Sequence, residues 1–122
     1  NTRISLTFER PYKRTDRVSQ QIKQILGEIT TKNIDISHLG FITFTRVEIS
    51  PDLRHSKVFY SIINNKKSDD IVNLELNKLA KAFRKYLGQS IRMKNTPDIK
   101  FYLDEDLKHE EYMLKILRNL NS

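Results

Sequence analysis

The sequence predicts an α+β fold, an α/β sandwich in which helices back a small sheet, within one domain. Three observations lead there. Apolar residues recur at helical spacing in three stretches, and they alternate in three runs rich in β-branched and aromatic residues. Only three glycines and three prolines punctuate 122 residues, which leaves no room for a flexible linker. A chain of this length buries a single modest core without a disulfide or metal staple.

Residues 1–12 read as an extended arm and 13–122 as the domain. The first helix runs from about Thr15 to Thr31: Val18, Ile22, Ile25, Leu26 and Ile29 form its stripe, and Thr15 with Asp16 suits its start. Gly40 to Ile49 alternates as a strand, with Phe41, Thr43, Thr45, Val47 and Ile49 on one face and Ile42, Phe44 and Arg46 on the other. Ser56 to Ile63 alternates likewise. Between them lies SPDLRH, where Pro51 and Asp52 suit a turn.

The polar run NNKKSDD ends the second strand and offers Ser68 or Asp69 as a cap. From Ile71 to Ile91 the chain reads as helix, with Val72, Leu76, Leu79, Ala80, Phe83 and Leu87 on one face. At about 100° per residue, Lys78, Lys81 and Lys85 fall nearly opposite, with Arg84 flanking. Gly88 is expected to end or bend this run. Pro97 precedes a short strand, Ile99 to Leu103, and the acids Asp104 to Asp106 precede a last helix carrying Leu107, Met113, Leu114, Ile116, Leu117 and Leu120. The resulting order, α-β-β-α-α-β plus a C-terminal helix, is the type II K-homology topology, a module that holds single-stranded nucleic acid.

Composition excludes several chemistries. The chain has no cysteine, which removes zinc-ribbon, thiol-redox and cysteine-nucleophile functions and suits a reducing compartment. No apolar run approaches the roughly 20 residues that span a bilayer, and the N-terminal stretch lacks the apolar block of a secretory signal. It also lacks an initiator Met, so a trimmed or processed chain is expected. His38, His55 and His109 share no ligand spacing. HEEYM begins like a zinc-protease helix but has Met113 where the second histidine belongs. Asp104 and Asp106 read as residues of a helix entrance. No catalytic residue, metal or cofactor is expected.

Charge is the informative number. Lysines and arginines total 22 against 15 acids, a net charge of +7, and a basic chain of this size most often meets a polyanion. The charge is also segregated. Lys78, Lys81, Arg84, Lys85, Arg92, Lys94 and Lys100 face a single acid, Asp98, across that segment; Arg10, Lys13, Arg14 and Arg17 form a second group, and the acids gather in 104–111. A positive stripe opposite an apolar face binds phosphates by charge, although an ordinary solvated helix face looks similar. Tyr60, Tyr86 and Tyr102 read as half-buried packing residues, and no pair of base-stacking aromatics on adjacent strands is expected.

Three runs, KRTDRVSQQI, GFITFTRVEISPDLRHSKVFYSI and LNKLAKAFRKYLGQSIRMKNTPDIKFYLDEDL, carry a resemblance that spans about Arg10 to Leu120. The most specific pieces are SPDLRHSKV, the R-x-x-L-G-x-x-I-R segment from Arg84 to Arg92, and PDIKFYLD at 97–104. In this order and spacing the chain resembles the bacterial ribosome-binding factor A family. The resemblance implies a K-homology-like, non-enzymatic monomer that binds the small ribosomal subunit and its rRNA. It further implies help in late maturation of that subunit, including the 5′ end of its rRNA, with most importance in the cold. Release by an assembly GTPase or at initiation, and a bacterial cytoplasmic location or else an organellar matrix or stroma, come with the same resemblance.

The resemblance also implies an interhelical kink with an Ala-x-Gly pattern. Counted back from Leu87-Gly88 it falls on Leu79-Ala80-Lys81, so Lys81 stands where the glycine is usual. Either the kink is softer or shifted, or Lys81 supplies side-chain charge in place of backbone contact. The residues expected to meet RNA are Lys78, Lys81, Arg84, Lys85, Arg92 and Lys94, extended by Arg10, Lys13, Arg14 and Arg17. Arg54, with His55 and Lys57, touches the edge, while Pro51 and Asp52 act as structural punctuation. Two other readings stay open: a different RNA-binding translation factor on the same fold, and a protein-interaction module whose basic face meets an acidic partner.

Overall fold

The structure, a computed structural model, describes residues 14–105. The expected arm at 1–12 and the expected C-terminal helix lie outside the described residues. The elements are α1 (Arg14–Lys32), β1 (Phe41–Ile49), β2 (His55–Ile63), α2 (Asp69–Lys78), α3 (Ala80–Ser90) and β3 (Asp98–Leu103), in the K-homology-like order expected. β2 is the central strand, antiparallel to β1 and parallel to β3.

Helix α1 buries Ile22, Ile25, Leu26 and Ile29, the stripe that its spacing dictates, and it packs chiefly on β1 and α3. On the same side of the sheet three phenylalanines from three elements meet. Phe44 of β1 lies edge-on to Phe83 of α3 at 6.2 Å and stacks on Phe101 of β3 at 5.9 Å; Phe83 and Phe101 close the triangle at 5.1 Å. Val58, Tyr60, Val72, Leu76 and Leu87 complete this core and are fully buried.

The face assignment of the first strand is corrected. Phe44 pairs with Tyr60 and Arg46 with Phe59, so Thr45 is an extra residue forming a β-bulge. The bulge shifts the alternation by one residue. Phe44 and Val47 are therefore both buried, while Phe41, Thr43, Arg46 and Glu48 are exposed. Thr45 spends its side chain across the sheet, donating from Oγ1 to Asp104 Oδ2 at 2.7 Å.

The helical run breaks at Leu79, in keeping with the expected α-α order and interhelical kink, while Gly88, expected to end or bend the run, lies inside α3. Ser68 caps α2 by accepting from the Ile71 amide at 3.3 Å. At the break, Leu79 stays right-handed (φ −89°, ψ −1°), and its N–H donates to Leu76 O at 3.0 Å in a tightened last turn. Val72 and Leu76 before the break and Phe83 and Leu87 after it all remain buried, so core packing holds the two helices in register. No positive φ is needed there, and Lys81 therefore occupies the glycine position without backbone strain. Gly88 is explained instead by close approach: a Cβ there would lie 2.9 Å from Thr96 Oγ1.

The turn 50–54 is built by its own side chains. Ser50 Oγ donates to Asp52 Oδ1 at 2.6 Å, and the same carboxylate oxygen accepts from the Arg54 amide at 3.1 Å. Leu53 takes φ +62° as its N–H donates to Ser50 O at 2.8 Å. The Arg54 carbonyl then accepts from the Asp98 amide at 2.9 Å, which ties the turn to the start of β3.

Candidate nucleic-acid interface

Among the described residues β3 is an edge strand, and two asparagines of α2 close its free edge at Phe101. The Phe101 amide donates to Asn77 Oδ1 at 2.8 Å, and Asn77 Nδ2 donates back to Phe101 O at 3.1 Å. Asn73 Nδ2 donates to Phe101 O at 3.2 Å and to Tyr60 Oη at 3.0 Å. Burial pushes the Tyr60 hydroxyl pKa above its ordinary value. In a parallel ladder alternate residues direct their backbone groups to the same side, so Ile99 aims at the open edge as Phe101 does.

At that point a groove of about 520 Å³ opens between β3 and the helix break. Asn77, Ala80, Lys81 and Arg84 form its helical wall; Ile99, Lys100 and Tyr102, with His55 and Lys57 of β2, form the other. A second groove of about 560 Å³ adjoins it, walled by Lys81, Arg84, Lys85, Gly88, Lys94 and Thr96. Lys81 and Arg84 line both, so the two grooves adjoin and cations lie along the pair. Lys81, Arg84, Lys85 and Lys94 are exposed. Asp98, the acid of the first groove, is engaged by His55, with Nδ1 to Oδ2 at 2.8 Å. Arg84 is held by the Thr96 carbonyl, which accepts from Nε at 3.1 Å and Nη2 at 2.9 Å.

Such a channel suits a chain of phosphates: flexible ammonium groups follow an irregular backbone, and counterion release supplies the free energy. A larger depression, about 730 Å³ between α1 and β1, is walled mainly by glutamines and threonines, with Lys23 its one cation among the described residues, and it offers less to a polyanion. Among the described residues no cluster fit to hold a metal is present, and no helix is long and apolar enough to cross a membrane.

The structure thus brings together Lys81, Arg84, Lys85 and Lys94. Lys78 pairs with Glu75 at 3.8 Å and, like Arg92 and Arg54, is exposed but outside the walls of either groove. Arg14 and Arg17 sit at the start of α1, where the helix dipole opposes a cation, so they do not serve the helix itself. Arg10 and Lys13 lie outside the described residues.

Sequence reasoning underweighted Lys57 and Lys100 and missed an aromatic pair. Contrary to expectation, Phe59 of β2 and Tyr102 of β3 are register partners whose rings stack at 5.6 Å and 28°. The repeated K-x-F and K-x-Y patterns at 57–59 and 100–102 carried the signal. It becomes legible only when β2 and β3 are known to be parallel neighbours.

The family model described as Ribosome-binding factor A matches residues 14–117. The chain belongs to the ribosome-binding factor A family. Curated family members from Natranaerobius thermophilus and Ligilactobacillus salivarius are 32% and 34% identical over 108 and 110 residues, covering 88% and 89% of this chain and 82% and 92% of theirs. Among solved structures, the crystal structure of ribosome-binding factor A from Thermus thermophilus aligns with a TM-score of 0.63 at 18% identity, covering 75% of this chain and 97% of that one. The solution structure of a Thermotoga maritima protein, a putative ribosome binding factor A by description, gives 0.63 at 26%, covering 76% and 89%. Within this family fold, the kink implied at Leu79-Ala80-Lys81 coincides with the observed break at Leu79.

Proposed function

We propose that this chain binds the rRNA of the small ribosomal subunit, without enzymatic activity, and assists late maturation of that subunit, including processing at the 5′ end of its rRNA. The observation that carries the reading is the pair of adjoining grooves that share Lys81 and Arg84, one at the edge of β3 and the other reaching Lys85 and Lys94. Membership of a family named for ribosome binding supports the choice of partner. A homology model of the Thermus thermophilus ribosome binding factor A, fitted into a cryo-EM map of its complex with the 30S subunit, aligns with a TM-score of 0.56 at 19% identity, covering 69% of this chain and 88% of that one, a likeness of fold.

In this reading a rigid α/β scaffold holds immature RNA by its phosphates until processing or refolding is complete. The factor then leaves with the help of an assembly GTPase or of initiation. It acts as a monomer in the cytoplasm and matters most in the cold, as the family resemblance implies.

Sedimentation with purified subunits is the test. Precursor small subunits are expected to carry the chain down more strongly than mature ones, with affinity falling steeply as salt rises. Exchanging Lys81 and Lys85 for Glu is expected to abolish co-sedimentation while the circular dichroism spectrum is unchanged. Equal binding to mature subunits would indicate another translation factor on this fold. Failure to bind rRNA at physiological salt would indicate a protein-interaction module instead.

A further inference from the structure

The sheet face turned away from α1, α2 and α3 carries a graded stack of side chains. The Arg46 guanidinium lies 4.0 Å from the centroid of the Phe59 ring, and Phe59 stacks on Tyr102 at 5.6 Å. Strand order β1-β2-β3 makes this a row: cation, ring, ring, each on the next strand. The row stops at Tyr102 because β3 is the edge strand, and Tyr102 there forms part of the wall of the groove that holds Lys81 and Arg84.

Two lysines flank that open end. Lys57 and Lys100 are register partners, with Nζ atoms 6.0 and 5.5 Å from the Tyr102 centroid. Like charges side by side on adjacent strands repel, and an anion placed between them relieves that repulsion. Of the acids on this face, Glu48 is the register partner of Lys57 and lies 3.5 Å from the Arg46 guanidinium, and Asp98 pairs with His55 at 2.8 Å, so Lys100 has the more open side of the pair. An aromatic face ending at a cationic groove matches one ligand chemistry, a flat ring joined to phosphates.

From this geometry we infer a second element of RNA recognition, resting on the RNA-binding reading above. An unpaired nucleobase continues the Arg46–Phe59–Tyr102 stack at the edge of β3, while Lys57 and Lys100 take its flanking phosphates and the strand beyond enters the groove at Lys81. Stacking of this kind is tolerant of sequence, because every base has a π-face, and selects for unpaired RNA. The site therefore favours precursor segments whose bases are not yet paired.

The test uses the full chain and a single-stranded oligoribonucleotide containing one 2-aminopurine, whose fluorescence is quenched on stacking. Wild-type chain is expected to quench it. Tyr102→Leu is expected to weaken affinity about tenfold and to abolish the quench, while Tyr102→Phe retains both. Exchange of Lys81 and Lys85 for Glu is expected to weaken affinity and flatten its salt dependence, yet to leave the quench intact at saturating protein. An abasic oligomer bound as tightly by the wild-type chain as its base-bearing counterpart, or an unaltered quench in Tyr102→Leu, overturns the stacking site and leaves the phosphate groove standing. Absence of all RNA binding, or preference for polyglutamate over RNA at Lys57 and Lys100, overturns both.

Discussion

Arg84 grips Thr96 with two nitrogens, Nε and Nη2 both donating to the Thr96 carbonyl. The contact fastens the middle of α3 to the residue before Pro97 and so sets where β3 begins. Gly88, one helical turn on, lets the same Thr96 approach the helix closely. Arg84 therefore braces the groove as well as charging its wall, whereas Lys81 contributes charge alone.

The two residues should separate experimentally. Arg84→Ala is expected to lower unfolding free energy by about 1 kcal/mol, the order of a charge-assisted hydrogen bond at an exposed site. Lys81→Ala should stay within about 0.5 kcal/mol of wild type. Both should weaken RNA binding, and Lys81→Ala should reduce the slope of log affinity against log salt by about 0.7 for a single strand. Urea melts and binding titrations at several salt concentrations read these out. Equal stability loss in the two variants would contradict the division of roles.

Gly27 and Gly40 are expected to respond oppositely to alanine. Gly27 lies within α1, and an added Cβ meets nothing within 4 Å, so Gly27→Ala should stabilise by about 0.5–1 kcal/mol through helix propensity. Gly40 has φ +136° and would place its Cβ 3.0 Å from Asn64 O, so Gly40→Ala should cost about 2 kcal/mol or more. Thermal melts of the two variants against wild type decide it.

Asn77 is the hinge pin between α2 and the edge of β3. Replacement by Ala removes the acceptor for the Phe101 amide and leaves that part-buried N–H unpaired, while the Phe101 carbonyl keeps its bond from Asn73. The expected cost is about 2 kcal/mol, with Asn77→Asp costing less because an acceptor remains. Hydrogen exchange at the Phe101 amide should accelerate in Asn77→Ala far more than at the amides of α1. Uniform acceleration would mean that only global stability had changed.

Much of this was legible in the sequence because hydrophobic period alone places Ile22 to Ile29, Val58 to Ile62 and Phe83 with Leu87 in the core. Local irregularities were not. Thr45 fits an alternating strand as well as its neighbours do, and its bulge emerges only from pairing with β2. Leu79 is an ordinary helix former, so propensity did not reveal the break there; the family resemblance did, and Leu76 and Phe83 stay buried on either side of it. At the groove, composition located Lys81, Arg84, Lys85 and Lys94 on one helix and loop. The stack of Phe59 on Tyr102 needed residues distant in sequence to become neighbours across a parallel pair.

The turn at Asp52 provides a titratable check on local order. The Ser50 hydroxyl, and then the Arg54 amide, hold the Asp52 carboxyl below its ordinary value of 3.8. A depressed folded value means that the carboxylate's contribution is present above the unfolded value and is lost as pH falls through the folded one. The Arg54 amide proton shift should therefore titrate with a midpoint below 3.8, and Asp52→Asn should remove that titration while keeping an acceptor in place. Because Arg54 O also receives the Asp98 amide, the same acid step should loosen the start of β3. Nuclear magnetic resonance across the carboxylate range would show the Asp98 amide moving together with that of Arg54. A midpoint at or above 3.8, or an Asp98 amide that ignores the step, would mean that the turn is not coupled to the strand.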